Sequence, residues 1–414
     1  MELVLAQQRL LGPGGTETYL LTMGEQLQRL GHEVTIFALE IGQMAEVALA
    51  RGLRVCPSPL ELPSSCDGVL AHDGVVSLLL AERYPKAPHI WVAHGLGSDL
   101  HRPVQLPGVV SAVVAMNETV ARRLEGLAQQ YEVMRLRQPI DVNRFVPRAA
   151  PRSTPEVAVL VSNYFDQAES KALERVCSDA GLRLDRIGGP EHLSTVPDST
   201  IAAADIVFSH GRGALEAMAT GRAVYVLHRW GRDGWVTPDS YSALEADGFA
   251  AEAYGLELDE AQLGADLEHY TPQMGRENRR LALQNHHALD HATELVNLIR
   301  RHSPSTRTAP VAPLREMARL VRLQGQTDWR CGVLTGENSA LWTENAALRK
   351  HLEEERVRAQ QELAAAQEER ASAREEAAAA WGQLEAFRRT RRYRLASLLG
   401  RPLDALRRLR TRDT

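Results

Sequence analysis

Residues 2–38 read ELVLAQQRLLGPGGTETYLLTMGEQLQRLGHEVTIFA, and the order of patterns within them decides the fold. Residues 2–6 form a short apolar run of strand length, which Gly12-Pro13-Gly14-Gly15 interrupts. Over 17–30, Leu20, Leu21, Met23, Leu27 and Leu30 recur at helical spacing and line one face. Residues 33–38 are again apolar and β-branched. Strand, Gly-rich turn, amphipathic helix and strand make a βαβ unit, whose two strands lie parallel. The free backbone N–H groups of Gly14 and Gly15 stand at the start of the helix, where an anion is favoured.

The same alternation continues outward. Strand candidates at 68–71, 89–93 and 109–115 precede a Pro-rich break at Pro147 to Pro155, and others at 157–161, 182–187, 204–208 and 223–227 follow it. A helical pattern over 272–300 closes the second series. Two successive α/β blocks predict two doubly wound, Rossmann-like domains over 1–147 and 148–302. Residues 303–336 read as a linker, with Pro and Ser clustered from Ser303 to Pro313. Residues 337–387 are rich in Ala, Glu, Arg and Leu and predict a long helix. Leu341, Asn345, Leu348, Leu352 and Ala359 follow 3/4 spacing, the seam of a coiled coil joining two copies, although a solvated single helix suits the composition as well. Residues 388–414 form a basic amphipathic tail.

Composition sets the outer bounds. The chain has 414 residues, 44% hydrophobic and 24% charged, which excludes wholesale disorder. Its net charge of −5 gives no reason to expect nucleic acid as a partner. That charge is unevenly spread, because residues 386–414 hold ten Arg against Asp404 and Asp413. Leucines interleaved with those arginines over 386–412 suit an anionic membrane surface. Cys56, Cys66, Cys177 and Cys331 are too far apart to suggest a disulfide framework or a zinc site. No run of residues is apolar and long enough to span a membrane, and no basic leader opens the chain. The expected location is cytoplasmic, with the tail at the inner face of the membrane.

In an open α/β sheet, ligands bind beyond the carboxyl ends of the strands. Four features fall there: Gly12 to Gly15, His72-Asp73 after 68–71, His94-Gly95 after 89–93, and His210-Gly211-Arg212-Gly213 after 204–208. Any one of them serves as readily as a turn or a buried polar group; all four on one rim point to a ligand. Glu216, one turn inside the next helix, can accept hydrogen bonds from ribose hydroxyls while the helix start holds phosphate. It can equally complement the helix dipole. His286, His287 and His291 have no carboxylate partner at metal-ligand spacing and read as a solvated helix face, so no metal is expected. Residues 230–235, WGRDGW, read as a Gly-rich aromatic loop on the rim, either stacking on a ligand or lying on the surface.

These residues carry a resemblance. Gly14-Gly15-Thr16-Glu17 through Gly31-His32-Glu33-Val34 resembles the opening of the GT-B glycosyltransferases related to glycosyltransferase family 4. Residues 138–147, QPIDVNRFVP, resemble their inter-domain segment. Ala204 to Val207, followed by Gly211 to Ala219, resembles their nucleotide-binding strand and "EAMA" helix, and Gly221 to Val224 the strand after it. The resemblance covers about residues 1–300 and implies retaining transfer of a sugar from a nucleotide-sugar donor to a glycan or lipid-linked acceptor of the cell envelope. It implies no cofactor, the nucleotide sugar being a substrate. It places Gly14, Gly15, His210, Gly211, Gly213, Ala214 and Glu216 at the donor, and His94, Lys171 and Arg212 in the catalytic role. Two positions depart from the family: Phe208 stands where a second Glu is usual, and Asn163 where an Arg is. The alternative is a catalytically weak or inactive GT-B scaffold acting through its coiled coil and basic tail.

Overall fold

The computed structural model describes residues 1–96, 101–106, 108–127, 130–189, 197–303, 314–392, 394 and 395. It forms two compact units, Met1–Gln326 and the remainder from Thr327. In chain order the first part of the larger unit contains β1 (Glu2–Ala6), β2 (Arg9–Leu10), α1 (Gly15–Arg29), β3 (Glu33–Phe37), β4 (Glu40–Ile41) and α2 (Gln43–Ala50). There follow β5 (Arg54–Cys56), β6 (Gly68–Ala71), α3 (Gly74–Arg83), β7 (His89–Ala93), β8 (Ala112–Ala115), α4 (Glu118–Arg123) and β9 (Glu132–Arg135). Seven of these strands pair in parallel in the order β5-β3-β1-β6-β7-β8-β9, with the order reversing between β1 and β6.

Both faces of this sheet are covered, which is why its strands read as unbroken apolar runs. Leu3, Leu5, Ile90 and Val92 point to one face, while Val4, Ala6, Trp91 and Ala93 point to the other. The period of two along a strand produces this division.

The second sheet is built from β10 (Val157–Val161), α5 (Gln167–Asp179), β11 (Arg183–Ile187), α6 (Asp198–Ala203), β12 (Ile206–Ser209), α7 (Gly211–Ala219), β13 (Ala223–His228) and β14 (Gly231–Trp235). Its order is β11-β10-β12-β13-β14, parallel except for the last pair. The aromatic stretch 230–235, expected to be a loop, is therefore largely an antiparallel edge strand. After it come α8 (Tyr241–Asp247), α9 (Glu260–Leu267) and α10 (Pro272–Asn285). The α/β class and the pair of doubly wound sheets with a helical extension are as expected.

Two boundaries differ from expectation. The pattern over 272–300 is two helices, α10 and α11 (Ala288–Arg301), broken at His286 and His287. Helix α11 returns to the first sheet, where Ala292, Leu295, Leu298 and Ile299 join Leu3, Leu20 and Val92 in one core. It lies so close that a Cβ added at Gly68 would meet Ile299 Cγ2 at 2.7 Å. The first domain thus takes in residues beyond 286, and the second ends before 302.

The expected linker 303–336 is also helical from Leu314 onward. Leu314 and Ala318 open α12 (Leu314–Arg389) and are buried with Val75, Leu78 and Trp91 on the other face of the first sheet. Helix α12 runs 76 residues, about 114 Å at 1.5 Å per residue. Residues 396–414, most of the expected basic tail, lie outside the described residues. No helix among the described residues is long and apolar enough to cross a membrane.

Candidate functional site

The carboxyl ends of both sheets open on one cleft of about 590 Å3. From the first sheet it is lined by Gly14, Gly15 and Thr18 at the start of α1, by His94 after β7, and by Arg51 at the end of α2. From the second sheet come Ser162, Asn163 and Tyr164 after β10, Gly188 after β11, His210 to Gly213 after β12, and His228 and Trp230 after β13. Gln138, Arg144 and Phe145 enter from the segment that joins the sheets.

The helix starts at Gly15 and Gly211 therefore face one space, as the sequence requires. Neither has a side-chain cap on its N-terminal N–H groups, because Gly14 and His210 supply none. The backbone at Gly211 has φ of +54°, a conformation that glycine adopts without strain. A Cβ at Gly14 would lie 2.3 Å from Glu17 Oε2, so a side chain there would displace that carboxylate from over the turn. Glu17 accepts from Gln7 Nε2 at 3.2 Å, and burial, which outweighs that hydrogen bond, raises its pKa.

Beneath the first rim is a buried aromatic group that the sequence did not disclose. His72 Nδ1 and His94 Nε2 share a hydrogen bond of 2.9 Å with the rings stacked. The Tyr19 ring stands edge-on to both, and its hydroxyl bonds His291 Nε2 at 2.9 Å. Burial drives every one of these imidazoles toward the neutral form, His72 to about 3, His291 to about 4 and His94 well below its ordinary value. A neutral His94 is a hydrogen-bonding group and not a standing acid. Asp73 beside His72 caps α3 through Val75 N–H and Val76 N–H and has a structural role.

Burial corrects the reading of two of the three late histidines. His286 and His291 are not on a solvated face; they are 2% and 6% exposed. His286 bonds Tyr241 Oη and Gln138 O at 2.8 Å each, and burial lowers its pKa to about 4. Both rings seal the point where the chain crosses back to the first sheet, a long-range fact that helical periodicity does not contain.

Arg212 and Glu216 line the cleft but are bound to one another, Nε to Oε1 at 3.1 Å, with both side chains buried. The same guanidinium donates to Pro139 O at 2.9 Å and to Thr22 Oγ1 at 3.0 Å, so it ties α7 to α1 across the two domains. Burial raises the pKa of Glu216, and Arg212 opposes that rise. Arg212, expected in a catalytic role, thus spends three of its five N–H donors on a tie between the domains while it lines the cleft.

Two other expected residues are not brought to the site. Lys171 is exposed on α5 and does not line the cleft, and Ala214 is fully buried in the second core. Asn163 lines the cleft and accepts from Gly189 N–H at 3.0 Å. Phe208 is wholly buried between β12 and the layer formed by α5 and α9. Among the described residues no cluster of His, Cys, Asp and Glu is arranged to hold a metal.

On the second rim, His210 and His228 stand perpendicular with centroids 4.5 Å apart, flanked by Tyr164 and Trp230. Trp230 is 74% exposed and Arg229 lies over its ring at 4.7 Å. The group offers flat, sequence-tolerant stacking surface beside the start of α7.

No family model matches the sequence, and no curated protein matches it. Solved structures do resemble it. One is Anabaena Alr3699/HepE in complex with UDP and glucose, with 13% identity, a TM-score of 0.50, and coverage of 72% of this chain and 99% of that one. Another is an alpha-glucosyltransferase in complex with UDP and a 13-mer DNA containing an HMU base, with 10% identity, the same TM-score and the same coverage. At such identities the likeness shows the fold, the GT-B pairing of two doubly wound domains over about residues 1–300, and leaves the chemistry to the site.

Proposed function

We propose that the protein is a glycosyltransferase that moves a sugar from a nucleotide-sugar donor to a glycan or lipid-linked acceptor, with retention at the anomeric carbon and without a metal or other cofactor. One observation carries this reading: the uncapped starts of α1 and α7 open into the same cleft from opposite sheets, with the Glu216 carboxylate one turn inside α7. A nucleotide-sugar donor suits that pair, an anion site and a ribose acceptor a helical turn apart. The similar solved structures crystallised with UDP support the donor class.

In glycosyl transfer, positive charge develops on the sugar while the departing diphosphate gains negative charge. Backbone N–H groups at Gly211 and Gly213 and the positive end of α7 answer the second need without Lys171. Gly14 and Gly15 approach from the other side. Neutral His94, held by His72 and Tyr19, offers a fixed hydrogen bond to the donor sugar.

Two substitutions test the roles. Glu216→Ala is expected to abolish binding of UDP, dTDP and GDP sugars in a thermal-shift or calorimetric titration. His94→Ala is expected to preserve that binding and remove turnover. If both variants behave alike, the assignment is wrong; if no nucleotide sugar shifts the melting temperature of the wild type, the reading itself fails.

The long helix and basic tail belong to the same proposal. The seam on 337–387 would pair two copies, and 386–412 would dock on an anionic inner leaflet. Full-length protein is expected to sediment as a dimer and to float with anionic liposomes, less so as salt rises. The 1–385 truncation should remain dimeric and stop floating. Equal flotation of the two discards the membrane role. The scaffold alternative keeps one point in its favour, the exposure of Lys171 away from the cleft, and detectable donor hydrolysis would reject it.

A further inference from the structure

A second cavity of about 490 Å3 adjoins the cleft and is lined by Glu25, Arg29, Val47, Arg51, Asp141 and Arg144, among others. Arg51 and Arg144 line both spaces and so stand at the passage between them. Arg51 is the more telling of the two. Its side chain is only 16% exposed, yet its guanidinium makes no hydrogen bond among the described residues. Its ion pair to Glu25 is 3.7 Å long. A guanidinium carries five donors in a planar fork that suits a phosphate or carboxylate, and leaving them unmade near the interior is costly.

The charges around it sharpen the point. Glu25 and Asp141 face Arg29, Arg51 and Arg144 in the smaller cavity, an excess of one cation. Asp141 is largely committed, accepting from Gln26 Nε2, Asn143 N–H and Arg144 N–H. Burial lowers the Arg51 pKa, and the like charges of Arg144 and Arg212 push it the same way. An anion placed between the two cavities would relieve that crowding and fill the empty donors of Arg51.

We propose that Arg51 and Arg144 form an anion subsite at the junction of the two cavities, and that it receives a phosphate or carboxylate carried by the acceptor. The geometry favours the acceptor over the donor. Arg51 closes α2 on the first domain, whereas Glu216, the α7 start and the aromatic group that suit a nucleotide belong to the second. The word acceptor rests on the transferase reading; the anion site does not.

The test is a calorimetric titration of inorganic phosphate into the full-length protein at fixed ionic strength, alone and with UDP, dTDP or GDP saturating. One saturable phosphate site is expected, and it should persist with nucleotide bound. Arg51→Met and Arg144→Met should each weaken phosphate by about tenfold, the loss of one charge-assisted hydrogen bond, whether or not nucleotide is bound. Should either variant melt early, Arg51→Lys is read in its place, and a phosphate affinity equal to the wild type would count against the site. With nucleotide bound, glucose 6-phosphate should bind about tenfold more tightly than glucose.

Displacement of phosphate by nucleotide would put the anion in the donor's own site and overturn the proposal. So would wild-type phosphate affinity in a well-folded Arg51→Met protein, absence of saturable binding, or equal affinity for glucose and its phosphate. If none of the three nucleotides binds, the transferase reading fails, and the phosphate titration still decides the anion site.

Discussion

Arg212 shows how one side chain in the cleft is placed between two tasks. Its guanidinium satisfies the buried Glu216 and reaches Pro139 O and Thr22 Oγ1 on the far side of the domain boundary. Removing one partner of a buried ion pair leaves the other charge without compensation, typically a loss of about 3–5 kcal/mol. Arg212→Met should therefore lower unfolding stability by about that amount in urea titration, whereas Arg212→Met with Glu216→Leu should recover much of it. A single variant as stable as the wild type would show that the tie does not hold the domains. Arg212 lines the cleft, but its charge is paired with Glu216, which its place in the motif does not reveal. Whether a cation is free depends on Thr22 and Pro139, which are distant in sequence and become neighbours only in the fold. Lys171 differs for the opposite reason, since helix α5 turns it to solvent.

At the scale of elements, the strands were the most legible. Runs at 2–6, 68–71, 89–93 and 157–161 appear with the same limits, because burial on both faces keeps their interior positions apolar. The edge strands β5, β9 and β14 were not seen. Arg54, Glu132 and Arg232 interrupt the apolar pattern there, as edges permit. The helix after residue 286 was recognised as a helix but given to the wrong domain, since amphipathicity says that a face is buried and not against what. The start of α12 carries a measurable consequence. Leu314 and Ala318 are each 1% exposed against the first sheet, and burying one Leu contributes about 1.5–3 kcal/mol. A 1–302 truncation should therefore be less stable than 1–326 in urea titration, by at least that free energy, and unfold at a lower urea concentration. Coincident curves would mean that this turn of α12 adds nothing to the first domain.

Across the whole molecule, several imidazoles are kept neutral by burial: His72 at about 3, and His89, His286 and His291 at about 4. A histidine depressed in the folded state binds its proton more readily once unfolded. Stability is then complete above the ordinary histidine value of about 6.5 and is lost as pH falls from there toward 4. Each such group contributes a slope of up to about 1.4 kcal/mol per pH unit. Asp205 adds a second loss at lower pH; despite burial, which raises it, hydrogen bonds from Glu156, Val157 and Arg152 bring its pKa below the usual carboxylate value. Melting temperature measured from pH 7 to 4.5 should drop steeply, and a flat profile would contradict the buried, neutral state of these rings.

The return of the chain at His286 also has a meaning in time. The first sheet is finished at Arg135, but its covering helix begins at Ala288 and the last piece of its core is Ala318. The ribosome, at roughly 5–20 residues per second, needs roughly 10–40 s to make that interval. Until α11 is made, Leu3, Leu20 and Val92 lack the side chains that later seal them. The domain that emerges first is thus the last to close, after the second sheet has been synthesised in full. A nascent chain of this design exposes its oldest core longest, and that surface is where a chaperone would be needed during synthesis.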